Sequence, residues 1–184
     1  MAKSLSHKGQ IFSLDVIIAV LAFTTILVSS IVIWDYTHET ISKTERRIEL
    51  ELATMNVLST LLESPGSPSN WSNFPVNDFN ESNVLSIGLT RNDSISLISK
   101  DLWHLDYEKI SYLNPSTYNK TKKILGLAGH DFKLTINLFN GTEFSENYSV
   151  SGDLTNIEEQ VVLTRYGLLN GEKTELVLKV GRHE

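Results

Sequence analysis

The chain contains no cysteine among its 184 residues. That excludes a small module held together by disulfides, so any folded part must rely on packing. Four prolines and ten glycines exclude a collagen-like or Pro-rich stalk. Sixteen Lys and Arg stand against 22 Asp and Glu, a net charge of −6. No basic cluster gathers in the C-terminal part, which argues against a nucleic-acid partner, because binding a phosphate backbone needs concentrated positive charge. Patterns that carry catalysis are missing too. There is no H-E-x-x-H, no G-x-S-x-G, no Cys/His spacing for a metal and no calcium-loop pattern among the acidic residues.

What the chain does have is one long apolar run near its start. Residues 16–34 read VIIAVLAFTTILVSSIVIW, 19 positions without a charge. At 1.5 Å per helical residue the run spans roughly 28 Å, close to the ~30 Å hydrocarbon core of a bilayer. Residues 11–14 extend it, giving an expected transmembrane part over 11–34. Asp15 sits inside this stretch, where a carboxylate is costly unless something pairs with it. A cleaved secretory signal fits poorly, since the apolar core exceeds the usual length of about 7–15 residues and no A-x-A-like site follows.

Lys3 and Lys8 precede the run, whereas Asp35 and Glu39 follow it. The positive-inside rule places the N-terminus in the cytoplasm and the C-terminal domain outside, with Lys43, Arg46 and Arg47 weakening the asymmetry. Asn-x-Ser/Thr sequons support the same direction. Asn70, Asn80, Asn92, Asn119, Asn140 and Asn147 each open one, all beyond the run. Chance would give roughly three, so these six are candidate glycosylation sites of an outward-facing domain. A polar surface rich in Asn, Ser and Thr is the plainer explanation.

From residue 35 to 63 there is no Gly and no Pro, and Ile41, Ile48, Met55 and Leu62 recur every seven residues. Leu50, Leu52, Val57, Leu58 and Leu61 broaden the stripe, while Glu45, Arg46, Glu49 and Glu51 occupy the remainder. The pattern predicts an amphipathic helix over 35–63 that continues the apolar run as one helix over about 12–63, with Ile48 and Met55 buried under a sheet. Ser64-Pro65-Gly66 ends it. Residues 64–98 read as loop, with Trp71 and Phe74 as clamps and a short strand or turn at 85–89. Residues 99–105 and 116–127 read as short helices, with Ser99 or Ser116 as caps and Gly129 after the second. Alternation then predicts strands at 132–138, 143–150, 158–166 and 174–180. Asn140-Gly141 and Asn170-Gly171 turn the two hairpins. The expected fold class is α+β, a long N-terminal transmembrane helix continuing into an amphipathic helix packed on a small antiparallel β-sheet of about four strands.

The N-terminal segment KGQIFSLDVIIAV, followed by the long helix and small β-rich domain, resembles the archaeal type IV pilin-like proteins. The segments LESPGSPSNW, IGLTRND and TYNKTKKILGL carry a looser likeness over most of the chain. The resemblance implies cleavage after Gly9 by a prepilin peptidase-like enzyme, leaving Gln10 as the new terminus, with Ser13 and Asp15 at the positions of the family's Ser and acidic residue. It divides the chain into a cytoplasmic leader or tail at 1–9, a long helix at 10–63 and an extracytoplasmic β-rich domain with short helices at 64–184. In an assembled filament, Asp15 of one subunit pairs with the terminal amine of its neighbour, which makes it an assembly residue. Ala19, Ala22, Thr25, Ser29 and Ser30 permit close helix contacts.

The functional expectation is therefore a structural subunit, major or minor, of a type IV pilus-like archaeal surface filament. Its partners are membrane lipid, the peptidase and other pilin-like subunits, with no nucleic acid. No cofactor, metal or catalytic residue is expected, and no enzyme. An uncleaved single-pass surface protein with a binding ectodomain is the alternative, favoured by Asp15 standing sixth rather than fifth after the cleavage point. A membrane-tethered hydrolase is a third reading. It requires His104 and His130 to converge with carboxylates, whereas His7, His38 and His183 are scattered.

Overall fold

A computed structural model describes residues 7–91, 103–155, 157 and 159–182, with side chains from residue 14 onward. The chain divides into two compact units, Met1–Arg46 and Arg47–Glu184. Helix α1, His7–Glu63, contributes to both. Every residue from 14 to 41 is exposed. By length and composition α1 is apolar enough to cross a membrane. Hydroxyls inside its apolar stretch bond back to the helix: Thr25 Oγ1 to the Leu21 carbonyl at 2.7 Å, Ser29 Oγ to Thr25 and Ser30 Oγ to Ile26, both at 2.8 Å. Such bonds leave none of these hydroxyls unpaired if the helix lies in lipid.

In the C-terminal unit the last turns of α1 pack against a five-stranded mixed sheet. Its strands are β3 (Trp103–Leu105), β6 (Glu159–Leu169), β7 (Glu172–Arg182), β4 (Asp131–Phe139) and β5 (Phe144–Ser151), in that spatial order. The four long strands pair antiparallel, as alternation predicts. The expectation of a purely antiparallel sheet is corrected by β3, which runs parallel to the end of β6 with Trp103 opposite Gly167. The helix expected over 99–105 is likewise corrected at residues 103–105; positions 99–102 lie outside the described residues. A three-residue strand is too short to show a period of two, and its partner is more than sixty positions away, so no local pattern announces it.

Two small strands, β1 (Gly66–Ser67) and β2 (Ser86–Ile87), pair antiparallel and close the loop after α1. Gly88 ends that closure against the helix terminus. A Cβ there would lie 1.9 Å from the Ser64 carbonyl oxygen, so no larger residue fits. Helix α2 (Tyr107–Tyr112) was not expected. Asp106 caps it, accepting from the Glu108 N–H at 2.9 Å. Helix α3 (Tyr118–Ile124) sits inside the expected 116–127 span, with Thr117 rather than Ser116 at its N-cap position.

Asn170 and Gly171 both have positive φ, 54° and 87°, as a two-residue type I′ hairpin demands. The β4–β5 hairpin instead turns through four residues, closed by the Asn140 N–H on the Glu143 carbonyl at 3.1 Å.

The core gathers Leu50, Val57, Leu58, Leu61 and Leu62 of α1 with Phe132, Leu134, Leu176, Leu178 and Val180 of the sheet. Burial of Ile48 and Met55 is a third correction, as they are 51% and 48% exposed, and Leu52 is exposed beside them. Helical spacing allows two apolar stripes here, centred roughly 165° apart at about 100° per residue. The sheet takes the stripe of Leu50, Val57 and Leu61. Trp71 clamps the loop, fully buried, its Nε1 donating to the Gly88 carbonyl at 3.0 Å and its ring set 5.8 Å from Phe79 and 5.7 Å from Tyr112. Phe74 is partly buried and its carbonyl accepts from the Tyr112 hydroxyl at 2.7 Å.

Candidate functional site

The candidate site on the helix starts with Asp15, whose side chain is exposed in the N-terminal unit. Among the described residues nothing pairs with its carboxylate. Gly9 and Gln10 lie within α1, and their side chains fall outside the description. Beyond Asp15 the exposed surface is mostly Val, Ile, Leu and Phe as far as Trp34, interrupted by Ala19, Ala22, Thr24, Thr25, Ser29 and Ser30. In the C-terminal unit, Ile48, Leu52 and Met55 form a separate exposed stripe. Each is spaced three or four residues from the next, so they share one face.

Five of the six sequons fall on described positions. Asn70, Asn119, Asn140 and Asn147 are exposed, and Asn80 is half-buried. Asn92 lies outside the described residues. Asn140 Oδ1 accepts from the Thr142 and Glu143 N–H groups, both at 3.0 Å, and from the Thr142 hydroxyl at 2.9 Å. Asn147 occupies the bulge of edge strand β5, where pairing passes from Tyr148–Ile136 to Glu146–Asn137. A bulge on an edge strand discourages pairing with another chain.

His104 and His130 do not converge. His104 lies level with Leu168, whereas Asp131, next to His130, lies level with Gly181 and so with Gln160. Eight residues of β6 separate those levels, roughly 26 Å at 3.3 Å per residue. Burial, followed by the charge of Arg182, holds the His130 imidazole below its ordinary pKa, while Glu49 opposes the shift. Among the described residues no group of three or more His, Cys, Asp or Glu is placed to hold a metal.

Two polar assemblies escape sequence reasoning. Lys109 is buried, with its ammonium donating to the Pro65 and Thr90 carbonyls at 2.8 Å each. Burial pushes its pKa down, against the charge of Asp106. The Tyr118 hydroxyl donates to Asp131 Oδ1 at 2.8 Å and accepts from the Phe132 N–H at 3.1 Å. Lys122 Nζ reaches the same Asp131 oxygen at 2.6 Å. Burial pushes the Tyr118 pKa up to about 12; the Phe132 N–H works against that shift and Asp131 adds to it. The Lys109 assembly ties α2 to the segments after α1 and before β3, and the Tyr118 assembly ties α3 to the start of β4. Their members are single residues of common type, so no spacing marks them.

Comparison with protein-family models, with curated proteins and with solved structures finds no match to this chain. The class follows from architecture alone. This is a long N-terminal apolar helix joined to a small mixed-sheet domain, a generic pilin-like arrangement, and the helix is consistent with membrane anchoring.

Proposed function

We propose that the chain is a structural subunit, major or minor, of a type IV pilus-like archaeal surface filament, and not an enzyme. The observation that carries this reading is α1 itself. One helix, His7–Glu63, displays a membrane-length apolar surface at one end and uses its other end as part of a domain core. A surface of that kind is stable in lipid and equally stable against copies of itself. Extraction from the bilayer into a helix bundle therefore exchanges one apolar environment for another. In this reading a prepilin peptidase-like enzyme cuts between Gly9 and Gln10. The new amine of one subunit meets Asp15 of the next, so that two groups costly to bury alone neutralise each other. The C-terminal domain faces outward, and its exposed sequons Asn70, Asn119, Asn140 and Asn147 are available to glycosylation.

The test is the mass of the mature chain from its native membranes, with electron microscopy of the cell surface. A chain beginning at Gln10 and present in filaments is expected, and Asp15→Ala should leave cleavage intact while reducing filament yield at least tenfold. A chain that keeps residues 1–9 and forms no filaments would overturn the proposal. That outcome supports the second reading, an uncleaved single-pass surface protein, which the position of Asp15 six residues into the mature chain favours. A tethered hydrolase is disfavoured by the separation of His104 from His130 along the sheet.

A further inference from the structure

We infer that the solvent face of the sheet carries a binding strip for a neutral saccharide chain. Alternation along the strands puts Leu134, Ile136, Leu176 and Leu178 in the core, so Asn137, Phe139 and Glu175 point to the opposite face. Tyr166, Glu175 and Asn137 stand directly opposite one another across β6, β7 and β4. Phe144 of β5 lies over this row, its ring 5.2 Å from Phe139 and 5.9 Å from Tyr166. Phe144 is 37% exposed and Tyr166 52%, large values for rings on a folded sheet. The strip lies towards the end of the sheet where both long hairpins turn.

At the centre of the strip is a positioned carboxylate. Glu175 Oε2 accepts from Asn137 Nδ2 at 2.9 Å, and Oε1 accepts from the Tyr166 hydroxyl at 3.3 Å. Each oxygen keeps a further lone pair, so the fixed carboxylate can accept from hydroxyls laid across it. Rings that offer an apolar face beside oriented acceptors suit a ligand with the same division. A pyranose has that division, with a C–H face that sits on aromatic π-clouds and hydroxyls around its rim. Three rings in a row have room for a disaccharide or longer. At the centre of the strip Glu175 disfavours a uronic acid, which would bring a second carboxylate against it; the cations of this face, Lys173, Lys179 and Lys133, lie two or more positions from Glu175 along the strands or on the neighbouring strand.

A protein partner fits less well. A stable protein interface buries about 800 Å² on each side around an apolar centre. Here the centre is a carboxylate, and charged Lys133, Lys179 and Glu146 share the face, with Lys133 Nζ 3.8 Å from Glu146. The inference is independent of filament assembly, because no residue of α1 enters it.

The test is saturation-transfer NMR on the full chain in detergent micelles with three probes: chitotriose, cellotriose and trigalacturonate. At least one neutral trisaccharide should give difference signals on its ring protons, and trigalacturonate should give signals at least fivefold weaker. Phe144→Ala and Tyr166→Ala should each reduce the neutral signal at least fivefold. Thermal melting should hardly change, because both rings are exposed. Glu175→Gln should raise the trigalacturonate signal relative to wild type, an effect that misfolding would not produce. No signal from either neutral probe, or equal signals from wild type and both ring variants, would overturn the inference. So would concentration-dependent sedimentation that the ring variants abolish while the sugars stay silent, which would assign the strip to a second copy of the chain.

Discussion

The two ends of α1 are built from similar residues and treat them oppositely. In the N-terminal unit Val, Ile, Leu and Phe from residue 14 onward are all exposed, and the hydroxyls among them turn inward to the helix carbonyls. In the C-terminal unit Leu50, Val57, Leu58, Leu61 and Leu62 are buried, and Glu49, Glu51 and Glu63 stay at or near the surface. Helix propensity favours the second end, where Leu and Glu replace the β-branched residues of the first, but propensity governs whether a helix forms and not which of its sides is buried, so it cannot account for the contrast. The difference lies in what surrounds each end. The first has an apolar surface all round and matches a lipid or helix-bundle environment; the second has a sheet on one side and water on the other. The same comparison can be drawn inside the C-terminal unit. Ile48, Leu52 and Met55 face outward two positions from residues that face inward, so burial there depends on rotation about the helix axis.

The largest expected effect breaks the packed end. Trp71→Ala removes a fully buried ring together with its bond to the Gly88 carbonyl, and should lower unfolding stability by about 3–5 kcal/mol in urea titration of the full chain in detergent. Next comes the lipid-like end. Ile26→Lys places an ammonium near the middle of the apolar run, at an insertion cost of about 2.5–3.5 kcal/mol. The variant should shift from the membrane to the soluble or degraded fraction on cell fractionation, while urea unfolding of the β-domain stays unchanged. Loss of β-domain stability in this variant would erase the distinction between the two ends.

A third prediction concerns alkaline pH. The folded pKa of Tyr118 is raised from 10 to about 12, so the folded chain keeps a proton that the unfolded chain releases. Stability from this group is complete below pH 10 and is lost as pH rises towards 12, by on the order of 2 kcal/mol. Tyr118→Phe should flatten the stability profile over that window, at a cost of about 1 kcal/mol at neutral pH from the lost hydrogen bonds. The smallest effect belongs to the outward stripe. Ile48→Ala and Met55→Ala should each change stability by less than about 0.5 kcal/mol, against about 2–5 kcal/mol for Leu61→Ala. A large loss at Ile48 would mean that the helix is rotated from the orientation described.

Much of the fold is legible in the chain because its signals are local. A long run free of Gly and Pro makes the helix, and apolar alternation marks the four long strands. Asn170-Gly171 turns one hairpin because both residues accept positive φ. The candidate site on α1 is legible for the same reason, since an uncharged run interrupted by Asp15 is visible without any partner. The parallel strand β3, the ammonium of Lys109 and the Tyr118–Asp131–Lys122 assembly are not legible. Each depends on residues far apart in sequence: Trp103 with Gly167, Lys109 with Pro65, Tyr118 with Asp131.

By itself the sequence determined that a membrane-length apolar helix leads into a small, cysteine-free α+β domain, because length, period and turn chemistry are properties of neighbouring residues. Only the tertiary structure decided which of two apolar stripes on that helix meets the sheet. It also decided that the sheet is mixed, and that Phe139, Phe144 and Tyr166 form one strip around Glu175. Those outcomes turn on rotation about the helix axis and on register between distant strands, and a spacing rule applied along one segment contains neither.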